Sequence, residues 1–374
     1  MSKLRLSHSA TRMFQECAKS YQLHYQERYR EVKQSANLLF GTAIDKAITH
    51  LLTPEDGSKT AEEVFTDTWT FQEVNGVKTY LTTFKDLVYA NSDYDEELLL
   101  DEDFDRLGEH VEVIFKGERP NKDKCIYIVG DIQKKKEVLG YNFLPEGETR
   151  VLNAANWLCL HRKGLIMIES FRKDILKHIK EVYSTQEYVK LENGEGDSII
   201  GYVDLVARYK DIQEPIIFDV KTSARAYDEG AVLTSPQLTL YTHALSEKYN
   251  TRKAGFIVFS KQIMKNKKKV CTVCGHDGSG TRFKTCNNEI DKVRCDSEWD
   301  IKLDPKAYIQ VLIDDIPERT EEIVLDNYEY ISQSIKSGAF PRNFNACTKS
   351  WGGKCRFYDY CFYGKEDGLI KKEQ

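Results

Sequence analysis

The sequence predicts an α/β fold: a mixed central sheet flanked by helices, with a helical insertion and a small cysteine-bearing insertion. Three observations predict it. Residues 183–191, 198–209 and 215–222 are β-branched and aromatic runs separated by turn formers such as Asn193-Gly194. Residues 236–249 have helical periodicity and lead into the apolar run 254–260, AGFIVFS, completing a strand–helix–strand alternation. Further helical segments stand on both sides of this unit.

Taken in order, residues 9–25 read as a helix, with Phe14, Cys17, Tyr21 and Tyr25 on one stripe and Ser7 or Ser9 as N-cap. Residues 38–51 form a second, striped by Phe40, Ile44, Ala47, Ile48 and Leu51 with Asp45 beside the stripe. Residues 1–51 are thus an N-terminal helical unit. Residues 52–180 read as a mostly helical insertion, with acidic patches at 93–97 and 101–105, a basic run at 134–136 and a long helix over 154–181. The α/β core occupies 181–260, the cysteine-bearing basic insertion 261–300, and a C-terminal helix and cysteine segment 301–374. Within these last two units, 299–303 is expected as a strand and 308–337 as a long amphipathic helix.

With 374 residues, 41% hydrophobic and 30% charged, the chain can bury a sizeable core, which excludes disordered and fibrous classes. Its net charge of -5 confines any nucleic-acid contact to a local patch. The longest apolar runs, such as 164–168, fall far short of the ~20 residues a membrane span needs. Residues 1–20 lack the apolar segment of a secretory signal, so the expected location is a reducing cytoplasm. There the ten cysteines point to metal rather than to disulfides. They fall into two groups, Cys271/Cys274/Cys286/Cys295 and Cys347/Cys355/Cys361, with Cys17, Cys125 and Cys159 apart.

The chemistry is concentrated in three runs: Gly201-Tyr-Val-Asp-Leu-Val, Ile216-Ile-Phe-Asp-Val-Lys-Thr and Gln237-Leu-Thr-Leu-Tyr. Asp204 and Asp219 lie on two strands whose pairing can bring their carboxylates together, and Lys221, two residues beyond Asp219, shares its face. Neighbouring carboxylates repel unless one is protonated or a cation lies between them, and hard oxygen ligands suit Mg²⁺ or Mn²⁺. An ion held there, with a lysine beside it, points to phosphodiester hydrolysis, and the carbonyl of Val220 is a candidate for a further metal ligand. An isolated D-x-K is usually a solvated strand end. Here it alternates with Phe218 and Val220 inside an apolar strand, where an acid is costly unless paired or metal-bound.

In order and spacing, GYVDLV, FDVKTS and QLTLY resemble the RecB-like branch of the PD-(D/E)xK nuclease superfamily, which includes CRISPR-associated and phage-encoded iron-sulfur exonucleases. The resemblance implies a restriction-endonuclease-like core and assigns the metal-dependent active site to Asp204, Asp219 and Lys221. It implies that Gln237 and Tyr241, sharing a helical face at i and i+4, touch DNA or steady Lys221. Many relatives carry a metal-binding histidine after a Gly-Thr pair. The equivalent run here, Gly41-Thr42-Ala43-Ile44-Asp45, offers aspartate, which also ligates a hard cation. Glu187 is an outer candidate.

By the same resemblance, Cys17, Cys347, Cys355 and Cys361 are similar to the family's four-cysteine staple for a 4Fe-4S cluster, although the gap of seven residues between Cys347 and Cys355 exceeds the usual one. Closing the loop from Cys17 to Cys347 would confine the unfolded chain by ~5 kcal/mol. The other group, Cys271-x2-Cys274-Gly followed by Cys286 and Cys295, has the spacing of a tetrahedral Zn²⁺ site. Beside it Lys261, Lys265, Lys267, Lys268 and Lys269 offer a phosphate contact, or simply a solvated face. The expected activity is a Mg²⁺- or Mn²⁺-dependent deoxyribonuclease acting on DNA, single-stranded or at duplex ends. By resemblance it is an exonuclease leaving 5'-phosphate and 3'-hydroxyl, working with replication or recombination proteins. A non-catalytic nucleic-acid-binding adaptor and an RNA nuclease remain open alternatives.

Overall fold

The computed structural model describes residues 3–31, 34–54, 59–70, 72–74, 77–79, 88–89, 98, 145–192, 196–290, 293–348 and 353–372. Cys125, Trp351, Asn193-Gly194, the two acidic patches and the basic run at 134–136 lie outside these residues. The elements that build the site are β1 (Arg5–Ser7), α1 (His8–Glu16), α2 (Ala18–Tyr21), β2 (Tyr29–Glu31), α3 (Ala36–Leu52), α4 (Ala61–Thr70) and α5 (Pro145–Asp174). They continue with β3 (Ile179–Glu192), β4 (Ser198–Tyr209), β5 (Ile216–Ser223), α6 (Pro236–Tyr249), β6 (Lys253–Cys271) and β7 (Trp299–Asp315). The chain closes with α7 (Glu318–Lys336), α8 (Tyr358–Tyr363) and β8 (Leu369–Lys371).

A six-stranded mixed sheet is the frame, as expected for an α/β fold. β5 and β6 run parallel, β1 runs parallel to β4, and the other pairings are antiparallel. One face carries the main core, where Phe40 and Ile44 of α3, Phe65 and Trp69 of α4 and Phe171 of α5 meet Phe218 and Phe259. The opposite face buries Leu245 and Tyr241 of α6 against Val206 and Ile217. Alternation along β5 explains the split: Ile216 and Phe218 point to the first face, leaving Ile217, Asp219 and Lys221 for the other. The described helices of 52–180, α4 and α5, pack into the main core itself.

Several boundaries differ from the sequence expectation. The helix expected over 9–25 breaks at Cys17, whose φ of -163° is extended, and continues as α2 and a π-helical turn, Gln22–Gln26. Ser7 is the N-cap, its Oγ accepting from the N–H of Ala10 at 3.2 Å. The long helix stops at Asp174, and β3 begins already at Ile179, where Ile179 and Val182 pack on the main core. The short strand expected over 254–260 is the start of the 19-residue β6.

The helix expected over 308–337 is strand up to Asp315. Ile309, Val311 and Ile313 alternate toward the core along β7, and helix begins only after Pro317, the N-cap of α7. Beyond a bulge between Phe259 and Ile263, β6 and β7 leave the sheet as a two-stranded ribbon that reaches roughly 35 Å to the first cysteine group. Among the described residues no helix is long and apolar enough to cross a membrane.

Candidate active site

β4 changes partners midway. One edge runs along β3, whereas the other pairs Ser198–Ile200 with β1 and Leu205–Ala207 with β5. β5 meanwhile stays paired with β6 as far as Ser223, so the strands fork just where Asp204 and Asp219 stand. The N–H of Val220 faces the fork and donates to Oδ2 of Asp204 at 2.7 Å. Gly201 lies in the same gap, where a Cβ would fall 2.6 Å from Cε1 of Tyr241, so only glycine lets that ring close over the strand.

Asp219 is 1% exposed, and neither carboxylate oxygen receives a well-directed hydrogen bond. Its close counter-charge among the described residues is Lys221, with Nζ 2.6 Å from Oδ2. Burial pushes the Asp219 carboxyl up to about 7 against the pull of that ammonium. Burial also raises Asp204, against the opposing Val220 amide. Asp45 on α3 rises to about 7 through burial and then through the charge of Asp204. Lys221 itself is raised: burial works against its charge, but the Asp219 carboxylate outweighs that.

Lys221 Nζ also donates to Oε1 of Gln237 at 3.3 Å, and Nε2 of Gln237 donates to the Tyr241 hydroxyl at 3.0 Å. Both residues are on one face of α6, whose N-cap Ser235 accepts from the N–H of Leu238. Burial and the nearby acids keep the Tyr241 phenol protonated. The structure therefore brings together Asp45, Asp204, Asp219, Lys221, Gln237 and Tyr241. An anionic recess with an unsatisfied buried carboxylate fits a hard divalent cation, which Asp204, Asp219 and the Val220 carbonyl could hold. Asp45 stands at its side.

Glu187 does not reach this recess. It turns to α6, paired at 2.6 Å with both Lys248 Nζ and the Tyr249 hydroxyl, and although burial works against it, these partners and Ser184 hold its carboxyl below the usual range. The residue of β3 that enters is its neighbour Gln186, whose Nε2 donates to Oδ1 of Asp45 at 3.0 Å. Nothing in the sequence marks this glutamine; only its register opposite Asp204 does. His8, at the start of α1, is likewise unmarked in the sequence. Burial, then Lys221 and Arg12, lower its pKa to about 4, so the imidazole is neutral, with Nδ1 3.3 Å from the Tyr328 hydroxyl.

The cysteines assemble as two groups. The Sγ atoms of Cys271, Cys274, Cys286 and Cys295 all lie within 4.8 Å of one another, with the pairs 271/295 and 274/286 at 3.6 Å. A tetrahedral ion with ~2.3 Å metal–sulfur bonds spaces its sulfurs by about 3.8 Å, so this group can hold a single metal ion. Gly275, at φ 68°, makes the tight turn that carries the Cys274 N–H to Cys271 Sγ at 3.4 Å. The amides of Cys274 and Val273 hold the Cys271 thiol down to about 6, whereas burial pushes Cys286 up to about 12.

Cys17, Cys347, Cys355 and Cys361 line one cavity of about 290 Å³. The break at Cys17 turns its side chain off the aromatic stripe toward this cavity, next to Asn343. Among the described residues, only the ribbon cysteines form a group at single-ion spacing, so this second group is wider. Burial raises the Cys347 and Cys361 thiols.

The five lysines do not form one patch. Lys261 bonds Asn37 and lies 5.7 Å from the Phe40 ring, against the core. Lys268 pairs with Asp304 at 3.0 Å. Lys265, Lys267 and Lys269 alternate with it along β6, and their cross-strand neighbours are Pro305, Leu303 and Ile301 rather than acids.

No curated protein matches the chain significantly. A crystal structure from Eubacterium rectale, described as a presumed exonuclease, aligns over 92% of this chain and 90% of that one at 10% identity, with a TM-score of 0.28. So loose a likeness carries neither fold nor activity. The sequence profile of the PD-(D/E)XK nuclease superfamily matches residues 5–131 and 144–362, a span that contains every acid, the lysine and both cysteine groups described above. The chain belongs to the PD-(D/E)XK nuclease superfamily.

Proposed function

We propose that the protein is a divalent-metal-dependent DNA nuclease, an exonuclease hydrolysing phosphodiester bonds in replication, recombination or repair in the cytoplasm. The observation that carries this reading is Asp219: a buried carboxylate without directed hydrogen bonds, beside Asp204 and held to Lys221 at 2.6 Å. Asp204, Asp219 and the Val220 carbonyl would hold Mg²⁺ or Mn²⁺, with Asp45 drawn in from the side as a further ligand or through a bound water. Such an ion polarises a phosphoryl oxygen and makes a bound water acidic. Lys221, fixed between Asp219 and Gln237, presents an ammonium where charge develops on the phosphate oxygens. Tyr241 holds Gln237 in that orientation, and the burial of Asp219 keeps bulk water off its carboxylate. Cleavage leaving 5'-phosphate and 3'-hydroxyl, and action at DNA ends, rest on family resemblance.

The wide spacing of Cys17, Cys347, Cys355 and Cys361 around one cavity supports a 4Fe-4S cluster, which sets its thiolates farther apart than a lone ion does. The compact ribbon group supports Zn²⁺. Lys267 and Lys269 are the lysines placed to meet a DNA backbone. The deciding experiment is digestion of end-labelled linear DNA with Mg²⁺ or Mn²⁺, in which D219A and K221A lose at least ~10²-fold in rate. Variants as active as wild type overturn the assignment. A wild type that binds DNA and cuts no substrate is an adaptor instead.

A further inference from the structure

Besides Gln237 and Tyr241, the recess holds another uncharged polar side chain, and its backbone is unusual. Gln186 lies within β3, between Thr185, which faces Leu205, and Glu187, which faces Val203, so it stands across from Asp204. Its φ is 50°, in the left-handed region that a side chain with a Cβ rarely adopts, and in the middle of a strand. Such a conformation persists where the surroundings over-determine it and is concentrated at functional sites. Here it accompanies a side chain aimed into the recess. Nε2 donates to both Asp45 oxygens, at 3.0 and 3.2 Å, and the strand register sets the residue across from Asp204. A primary amide has two N–H donors and no charge, so it binds a carboxylate without adding to the negative charge of the recess.

We propose that Gln186 is a positioning residue of the metal centre, a neutral donor that fixes the Asp45 carboxylate beside Asp204 before a cation arrives. This rests on the reading of Asp45, Asp204 and Asp219 as metal-binding. Charge explains the residue type. A fourth carboxylate would add repulsion to a recess that already holds three acids, and a lysine or arginine would neutralise them and compete with the ion. An amide donates without doing either. Groups that orient metal ligands in this way alter metal affinity by about 10–100-fold when removed.

The test is Mn²⁺ binding to the DNA-free full-length protein, followed by electron paramagnetic resonance and calorimetry, for wild type, Q186M and Q186G. Met keeps the bulk and loses the donor. Gly loses the donor and also relieves the left-handed backbone, so it should unfold at a higher temperature than wild type. The expected result is Mn²⁺ affinity about 10–100-fold weaker in both variants, with the Gly variant no less stable than wild type. A purely structural role predicts unchanged affinity in Q186G, and that result overturns the proposal. If wild type itself binds no Mn²⁺, the metal-centre reading fails first, which the wild-type titration shows separately.

Discussion

The N–H of Val220 reaches Oδ2 of Asp204 across 2.7 Å, joining β4 and β5 at the point where their backbones part. That one bond sets the Asp204 carboxylate against the middle residue of the Asp219–Lys221 triplet. The reactive groups are therefore positioned by strands and by a main-chain donor, not by loops.

Metal and pH should be coupled through the acids. The Asp45 carboxyl is raised to about 7 in the fold, above its ordinary value near 4, and Asp219 is raised too. A raised carboxyl stabilises the metal-free fold fully below about pH 4, and the contribution is lost as pH climbs through about 7. Ion binding needs the deprotonated form, so Mn²⁺ should raise the melting temperature more at pH 8 than at pH 5.5. Scanning calorimetry at the two pH values checks this; equal increments would contradict it.

Gly201→Ala should displace Tyr241, because the new methyl would fall 2.6 Å from Cε1 inside a packed contact. Overpacking of this kind costs about 1–3 kcal/mol. The displaced ring would also release Gln237 and, through it, Lys221. The expected outcome is a lower melting temperature together with a reduced cleavage rate at saturating metal. Tyr241→Phe, which removes only the hydroxyl, should cost about 1 kcal/mol and leave packing intact.

The two ribbon faces should differ in DNA binding. Neutralising Lys267 and Lys269 together should flatten the salt dependence of DNA affinity, by up to about 0.9 in slope for each phosphate that no longer meets a cation. Lys268→Gln should do much less, since that ammonium is already engaged by Asp304. Binding isotherms on duplex and single-stranded DNA across a salt series would separate them, and equal effects would mean the faces are not distinguished.

The two cysteine groups should respond differently to a chelator. Zinc removal should loosen the ribbon tip, seen as faster hydrogen exchange over residues 271–299, while the sheet melts as before, because the ribbon projects from the core. Cys17→Ala should instead lower the melting temperature of the whole protein, since a cluster held by all four thiols would tie the start of the fold to the last segment. Metal analysis of wild type should return iron, sulfide and one zinc per chain.

Much of this site can be read in the sequence because acids and a lysine at period two inside apolar strands stand out, and the helix carrying Gln237 and Tyr241 begins and ends where expected. Asp45 is reached by resemblance alone. Gln186 is not legible: a glutamine in a strand carries no signal, and its role comes from a left-handed backbone and from cross-strand register. The helix expected from residue 308 fails because Tyr308–Asp315 also satisfies a strand's alternation, and only pairing with β6 decides between the two. The extent of β6 is hidden for the same reason, since its lysine-rich half has no apolar pattern and is held as a strand by its partner.

Cys17 stands at a break after the first helix, and its three companions lie beyond residue 346. These four thiols line one cavity only when the start of the fold and the segment after α7 have come together, although most of the sequence lies between the first and the next. A group bound by all four would thus enter only after those two distant stretches have met, and its uptake would report that the fold has closed.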